Sequence, residues 1–319
     1  MRVLVTGGAG FIGSHLCARL LDRGDEISAI DNFDPFYPER LKRRALEPLL
    51  ARGLRLFTAD IRDGDAVGVA FREARPECIV HLAALAGVRP SLERPAEYMD
   101  VNVRGTAVLL EAARRTDVRR FVFGSSSSVY GKNAMPPFQE TARIDSPLSP
   151  YAASKAAGEQ LVSTWTNLYG LEAISLRFFT VYGARQRPDL AIHKFSRRML
   201  AGQKLPFFGD GSSRRDYTYI DDILAGVMRA LSVPLDGHQV VNLGGAQTTS
   251  LRELIALLEE ALGIRAELDM QPEQKGDMPL TSADVTRAGE LLGYAPATPL
   301  RAGLAKFAEW IRGEGRDWV

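Results

Sequence analysis

Six short apolar runs punctuate the first half of the chain: RVLVT from Arg2, EISAI from Glu26, LRLFT from Leu54, CIVHL from Cys78, RFVFG from Arg120 and AISLR from Ala173. They alternate with stretches of helical periodicity, which is the pattern of βαβ units and of a parallel sheet. None of the runs has a polar face, as expected of strands whose sheet is covered by helices on both sides. The expected fold is therefore α/β with a doubly wound parallel sheet. After Arg177 the chain turns rich in Gly, Pro and Asp (GARQRPDL, FFGDGSSRRD), then forms a helix at SLRELIALLEEALG, where Ser250 and Glu253 have capping-box spacing. With 319 residues, the chain is long enough for a dinucleotide-binding domain over residues 1–177 and a smaller C-terminal α/β lobe over 178–319. The second would mainly hold substrate, with some exchange of chain between the two.

Directly after the first run comes TGGAGFIG, which places Gly7, Gly10 and Gly13 at GxxGxxG spacing ahead of the helical stretch SHLCARLLDRG, with Phe11 and Ile12 between the last two glycines. Glycines there allow a tight strand-to-helix turn and a close backbone approach, and the helix N-terminus offers N–H groups and positive dipole to a pyrophosphate. With a strand before and a helix after, this reads as the dinucleotide site of a Rossmann domain, a purely structural glycine-rich turn being the other reading. Eighteen residues beyond Gly13 stands Asp31, followed by Asn32. A carboxylate at that point accepts hydrogen bonds from both ribose hydroxyls and repels a 2′-phosphate, so the expected cofactor is NAD and not NADP. Asp60 and Ile61, after the third run, are placed to meet the adenine, although Asp60 suits a helix cap equally well. Leu82, Ala83 and Ala84, after the fourth run, complete this set of cofactor-binding candidates. The basic stretch ERLKRRALEPLLARG reads as the solvated face of a helix, with Lys42 as the member able to reach a nucleotide.

Forty basic residues against 39 acidic ones leave a net charge of +1. No global field then favours nucleic acid or an anionic membrane, and an anionic ligand must be held locally. The two cysteines, Cys17 and Cys78, read as buried thiols of a reducing compartment. MRVLVT enters a strand at once, and no apolar run approaches membrane-spanning length. The expected location is the cytoplasm, and no metal site is expected.

The fifth run ends in SSSSVYG, Ser125 to Gly131, and YAASK follows at Tyr151 to Lys155. In an open parallel sheet ligands bind at the carboxyl ends of strands, which brings four hydroxyls beside the nicotinamide end. On a helix, Tyr151 and Lys155 stand one turn apart on the same face, a spacing that permits joint chemistry and equally suits helix decoration. With TGGAGFIG, Asp31, SSSSVYG and YAASK in that order, the chain resembles the extended short-chain dehydrogenase/reductases, in particular their nucleotide-sugar epimerase branch. The likeness runs on through YTYIDDI, NLGG and LGYAPATPLRAGLAKF. It implies Tyr151 as acid/base, Lys155 as the group that lowers the tyrosine's pKa and holds the nicotinamide ribose, and Ser126 as the third member. A phenol near pKa 10 is a poor base at neutral pH, and a neighbouring ammonium and a positive nicotinamide both favour its phenolate.

The resemblance also bears on the reaction. Dehydratases of this family carry an acidic pair where this chain has Ser127 and Ser128, and its decarboxylases a glutamate in the same stretch, which is missing here. Oxidation followed by reduction on the opposite face, an epimerisation, is the simplest complete cycle left. LAIHKF (with Ala191, Ile192 and Lys194), Arg215 and Asp277 fall where the family holds a uridine diphosphate. DNFDPFYP, AGVRPS, FFTVYGARQRPDLAIHKF and MQPEQKGD resemble the UDP-glucuronate 4-epimerases most closely. For that substrate, Ser126, Ser127, Ser128 and Thr180 are the neutral donors to a carboxylate, and Arg187 and Arg89 the cationic ones. Galactose epimerases place an asparagine at Thr180, and hexose epimerases usually an arginine at Gln274. A UDP-glucose/UDP-galactose 4-epimerase, or one of dual specificity, remains the alternative, and a non-catalytic NAD-binding sensor a further one. The likeness also suggests a homodimer built on NVRGTAVLLEAARR and the helix that carries YAASK.

Overall fold

The computed structural model describes residues 1–272 and 278–318. In chain order, the first half runs β1 (Arg2–Thr6), α1 (Phe11–Arg23), β2 (Glu26–Asp31), α2 (Glu39–Leu50), β3 (Arg55–Thr58), α3 (Gly64–Ala74) and β4 (Cys78–His81). Then come α4 (Val88–Glu93), α5 (Pro95–Met99), a π-helical turn (Asp100–Arg104), α6 (Gly105–Arg114), β5 (Arg120–Ser126), a 3-10 turn (Ser127–Tyr130), α7 (Pro150–Tyr169) and β6 (Glu172–Phe178). The remainder comprises β7 (Thr180–Tyr182), α8 (Ala191–Leu200), β8 (Leu205–Phe208), β9 (Arg214–Tyr219), α9 (Ile220–Ala230) and β10 (His238–Leu243). It closes with β11 (Thr248–Ser250), α10 (Leu251–Leu262), β12 (Leu268–Gln271), α11 (Thr286–Leu292), α12 (Leu300–Arg312) and a 3-10 segment (Glu314–Trp318).

All six expected strands form, and they lie in one seven-stranded sheet ordered β10-β6-β5-β4-β1-β2-β3, with every pairing parallel. Successive side chains of a strand point to opposite faces, so each strand feeds two cores. Val3, Val5, Ile27, Ala29 and Val122 join α1 and α9 in one core. Leu4, Ile30, Ile79, Phe121 and Phe123 join α3, α6 and α7 in the other. That two-sided burial is why the runs carry no polar face. The strand order reverses between β1 and β4, and a crevice opens there at the carboxyl ends, where such sheets bind ligands.

The seventh strand, β10, and the helix α9 come from the chain beyond Arg177 and complete the sheet and one of its cores. HQVVNL was not among the expected strands because three of its six residues, His238, Gln239 and Asn242, are polar and interrupt the apolar run. The rest of the second half builds a three-stranded sheet, β11-β9-β7, and a two-stranded one, β12-β8. The capping box at the start of α10 forms as expected: Glu253 N–H donates to Ser250 Oγ (3.1 Å) and Ser250 N–H to Glu253 Oε2 (2.7 Å).

Candidate active site

The turn after β1 is shaped for close approach. Gly7 has a φ of +71°, and a Cβ there would sit 2.7 Å from the Ala83 nitrogen. A Cβ at Gly13 would run into the Gly7 carbonyl. The N-terminus of α1 begins at Phe11, has no acidic residue in its first turn, and among the described residues has no side-chain cap. Its N–H groups therefore face the cleft free to meet an anion. Such a cradle, which any side chain would fill, fits the pyrophosphate of a dinucleotide.

At the end of β2, Asp31 is 8% exposed. Its Oδ2 accepts from Ala9 N–H (2.9 Å) and its Oδ1 from Phe33 N–H (2.8 Å). Burial pushes the carboxyl up, while these amides and the Lys42 ammonium hold it down. Lys42 departs from the solvated face of α2: it is buried and donates to the Asp34 carbonyl (2.6 Å). Arg43 and Arg44 stay outside, paired with Glu39 and Asp317.

Of the two roles open to Asp60, the helix cap belongs instead to Asp63, which accepts from Asp65 and Ala66 N–H, both at 3.0 Å. Asp60 lines the cleft beside Asn32 and Ile61 and pairs with Arg62 (Nη2–Oδ2 2.7 Å, Nε–Oδ1 3.0 Å). Arg62 also bonds Asp100 (2.7 Å) and lines the cleft. Sequence reasoning missed it, and its place two residues from Asp60 was the available signal. The backbone after β4 is set by a buried chain of polar groups. Thr106 Oγ1 donates to the Asn102 carbonyl, so it accepts from His81 Nε2–H (2.9 Å). His81 Nδ1 then accepts from Thr6 Oγ1 (2.7 Å), which accepts from Ala83 N–H (3.2 Å). This fixes Leu82, Ala83 and Ala84 against Gly7.

At the other end of the cleft, α7 starts at a firm cap: Ser149 Oγ accepts from Ala152 N–H (3.1 Å) and Pro150 occupies the first turn. The cap places Tyr151 on the cleft at the end of β5, where Ser126 also lines it. Tyr98 packs edge-on against the Tyr151 ring, with centroids 6.3 Å apart. Lys155, 5% exposed, donates to the Gly124 carbonyl (2.8 Å). Burial pushes the Tyr151 phenol up, opposed by Ser126 and by the Arg187 guanidinium. The protein's own groups thus do not produce the expected lowering, because desolvation outweighs them; a positive nicotinamide is the further charge that favours phenolate. Of the four expected hydroxyls, that of Ser125 is already engaged and donates to Glu159 (2.5 Å).

All fifteen cofactor candidates line one cleft of about 480 Å³, which also takes in Ser126, Ser127, Ser128, Thr180 and Arg187. A smaller adjoining cleft of about 130 Å³ shares Ser127, Ser128 and Thr180 and adds Arg215. Arg187 grips Asp189 through both arms of its fork (3.0 and 2.8 Å) and lies over the Phe36 ring (5.0 Å). Asp189 was not foreseen, since nothing in its type distinguishes it from a loop aspartate. Four substrate candidates line neither cleft. Arg89, on α4, lies over the Phe208 ring (5.4 Å); Ala191, Ile192 and Lys194 occupy the first turn of α8, Ile192 within the core. Asp277 and Gln274 lie outside the described residues.

Known proteins share this fold. A probable UDP-glucuronate 4-epimerase of Rhizobium meliloti is 38% identical over 330 residues, covering 97% of this chain and 96% of its own. The crystal structure of a UDP-glucuronic acid 4-epimerase from Bacillus cereus in complex with UDP-glucuronic acid and NAD superposes with a TM-score of 0.91 at 36% identity, covering 98% of this chain and 99% of that one. That of a UDP-glucose 4-epimerase from Thermotoga maritima with UDP-glucose gives 0.91 at 35%, with the same coverage. Residues 3–244 match the family described as NAD dependent epimerase/dehydratase. Because that span runs from β1 through β10 and takes in every residue of the larger cleft, the chain belongs to the NAD dependent epimerase/dehydratase family.

Proposed function

We propose that the chain interconverts UDP-glucuronate and UDP-galacturonate by epimerisation at C4, with Tyr151, Lys155 and Ser126 as its reactive set. The observation that carries this is the convergence of Ser126, Ser127, Ser128, Thr180 and Arg187 on the cleft that holds Tyr151. Gly7, the N-terminus of α1, Asp31 and Lys155 would hold NAD, which when bound takes a hydride from the sugar carbon and returns it. Tyr151 takes the C4 hydroxyl proton through its phenolate and gives it back on the other face, while Ser126 fixes the phenol oxygen. Between the two transfers the 4-keto sugar turns over about its diphosphate link, with Arg215 beside the smaller cleft as a candidate anchor.

A ketone at C4 is β to the C6 carboxylate, and such acids lose carbon dioxide when the breaking bond aligns with the carbonyl π system. Hydroxyls on the rigid end of β5 and at Thr180, with the Arg187 cation, suit a clamp that holds the carboxylate out of that alignment. The similarity to both glucuronate and glucose epimerases keeps one second reading. The Arg187 fork already holds a carboxylate, Asp189, which favours a neutral hexose. Incubation with UDP-glucuronate and, separately, UDP-glucose tests both, with epimer, pentose and unreacted sugar separated. The reading predicts galacturonate from the first. Interconversion of UDP-glucose and UDP-galactose with UDP-glucuronate left untouched would replace it.

The proposed assembly is a homodimer through α6 and α7. Leu168 and Tyr169 are 66% and 51% exposed at the end of α7, and Trp165 and Leu161 are only partly covered. Sedimentation at micromolar protein is expected to give twice the chain mass, and a monomer would contradict the assignment. A cytoplasmic location agrees with the two buried free thiols, Cys17 and Cys78. Among the described residues no helix is long and apolar enough to cross a membrane.

A further inference from the structure

One turn beyond Lys155 on α7 lies Glu159, a carboxylate 3% exposed. Its Oε1 accepts from Ser125 Oγ (2.5 Å) and Arg177 Nε (2.9 Å), and its Oε2 from Arg177 Nη2 (2.8 Å). Lys155 donates to Gly124 O, so lysine and glutamate grip adjacent residues of β5 just ahead of Ser126. Arg177, also 3% exposed, lies over the Tyr130 ring (4.7 Å), whose hydroxyl donates to Asn242 Oδ1 (2.6 Å). A buried ion pair contributes little net stability over apolar residues of the same volume, because desolvation offsets its Coulomb attraction. Its placement is more informative: positive Arg177, negative Glu159 and positive Lys155 follow one another toward the phenol.

We propose that Glu159, gripped by Arg177 and Ser125, is the positioning residue of Lys155: it is the counter-charge of the buried lysine, seats it against the end of β5, and thereby sets the upper pH bound of turnover. The inference rests on Tyr151 and Lys155 being the reactive pair. Desolvation brings Lys155 down to about 8, and Glu159 is the group that opposes the fall. The other groups facing this row are accounted for. His81, on β4, is a neutral imidazole brought down to about 3 by burial. His238, on β10, faces Glu159 and Arg177 and is likewise lowered by burial. Burial raises Tyr130 to about 12 and raises Glu140, both beside Arg177. Tyr151 is the remaining neighbour, on the same helix. Without Glu159 the ammonium loses its buried counter-charge, and its proton leaves at lower pH.

The test is the pH profile of kcat/KM for wild type, Glu159→Gln, Glu159→Asp and the electroneutral double variant Glu159→Gln/Arg177→Met, which removes Glu159 without leaving the Arg177 guanidinium unpaired. In the double variant the alkaline limb is expected to move down by about one pH unit, about a fivefold loss at the wild-type midpoint and about tenfold well above it, with bound NAD retained; Glu159→Asp should restore part of it. An unchanged alkaline limb in the folded, NAD-loaded double variant would overturn the proposal. A second measurement needs no activity: wild type and the double variant, each carrying 13C at the lysine ε-carbon, with the Lys155 resonance identified by its absence from Lys155→Arg. Titration of Lys155 at lower pH in the folded double variant than in wild type supports the proposal, and titration at the same or higher pH defeats it. Since this readout is independent of turnover, its outcome separates the role of Glu159 from that of the reactive pair.

Discussion

Tyr151→Phe is expected to cut turnover by more than about a hundredfold, the usual reach of one positioned acid/base, while NAD stays bound. The substitution removes one oxygen and leaves the ring packed on Tyr98 and α7 capped by Ser149, so the loss is chemical. Lys155 keeps its bond to Gly124 and with it its place in the cofactor site. Ser126 offers only a hydroxyl of high pKa and cannot replace the phenolate. Initial rates, with NAD content measured on the same preparation, check both halves. Near-normal turnover would remove Tyr151 from the chemistry.

Arg187→Ala should damage turnover of UDP-glucuronate far more than any activity on UDP-glucose. A hydrogen bond to a charged group contributes roughly 1.5–3 kcal/mol against about 1 for a neutral one, which corresponds to a ten- to hundredfold loss in kcat/KM for the acid sugar. The substitution also releases Asp189, which the guanidinium holds at 2.8 Å, and replaces a cation lining the cleft by a net negative charge beside it, which disfavours the acid substrate more than the neutral one. Ser127→Ala or Thr180→Ala acts differently, by loosening the clamp around the keto acid. There UDP-pentose should appear beside the epimer. Equal damage to acid and neutral sugars in the arginine variant would assign Arg187 to the diphosphate or the ring hydroxyls.

The strands were legible from apolar runs alternating with helical stretches, and in β1, β2, β4, β5 and β6 both faces meet a core, so that the apolar character survives along most of the run. β10 escaped because His238, Gln239 and Asn242 make half of it polar. The dinucleotide cradle was legible for a different reason: Gly7 and Gly13 are required by backbone proximity, a constraint few other residues can meet. Arg62 and Asp189 carry no such mark. Each acquires its position from a partner in space, Asp60 and Asp100 for the first and Arg187 for the second. Local spacing also left Asp60 open between two roles, and the neighbouring aspartate three residues on, Asp63, took the cap. The part of the tyrosine's pKa set by burial was not legible, because charges are visible in a sequence and desolvation is not.

The position of β10 bears on synthesis of the chain. β6 ends at Phe178, yet its outer neighbour spans His238–Leu243, so the nascent sheet waits with an open edge while roughly sixty further residues are made, several seconds at about 5–20 residues per second. An apolar strand edge of that kind is a template for pairing with other chains. The first half therefore cannot be finished and set aside while the second is translated, and a chain stalled or cut after Arg177 is an aggregation hazard rather than a free nucleotide-binding domain.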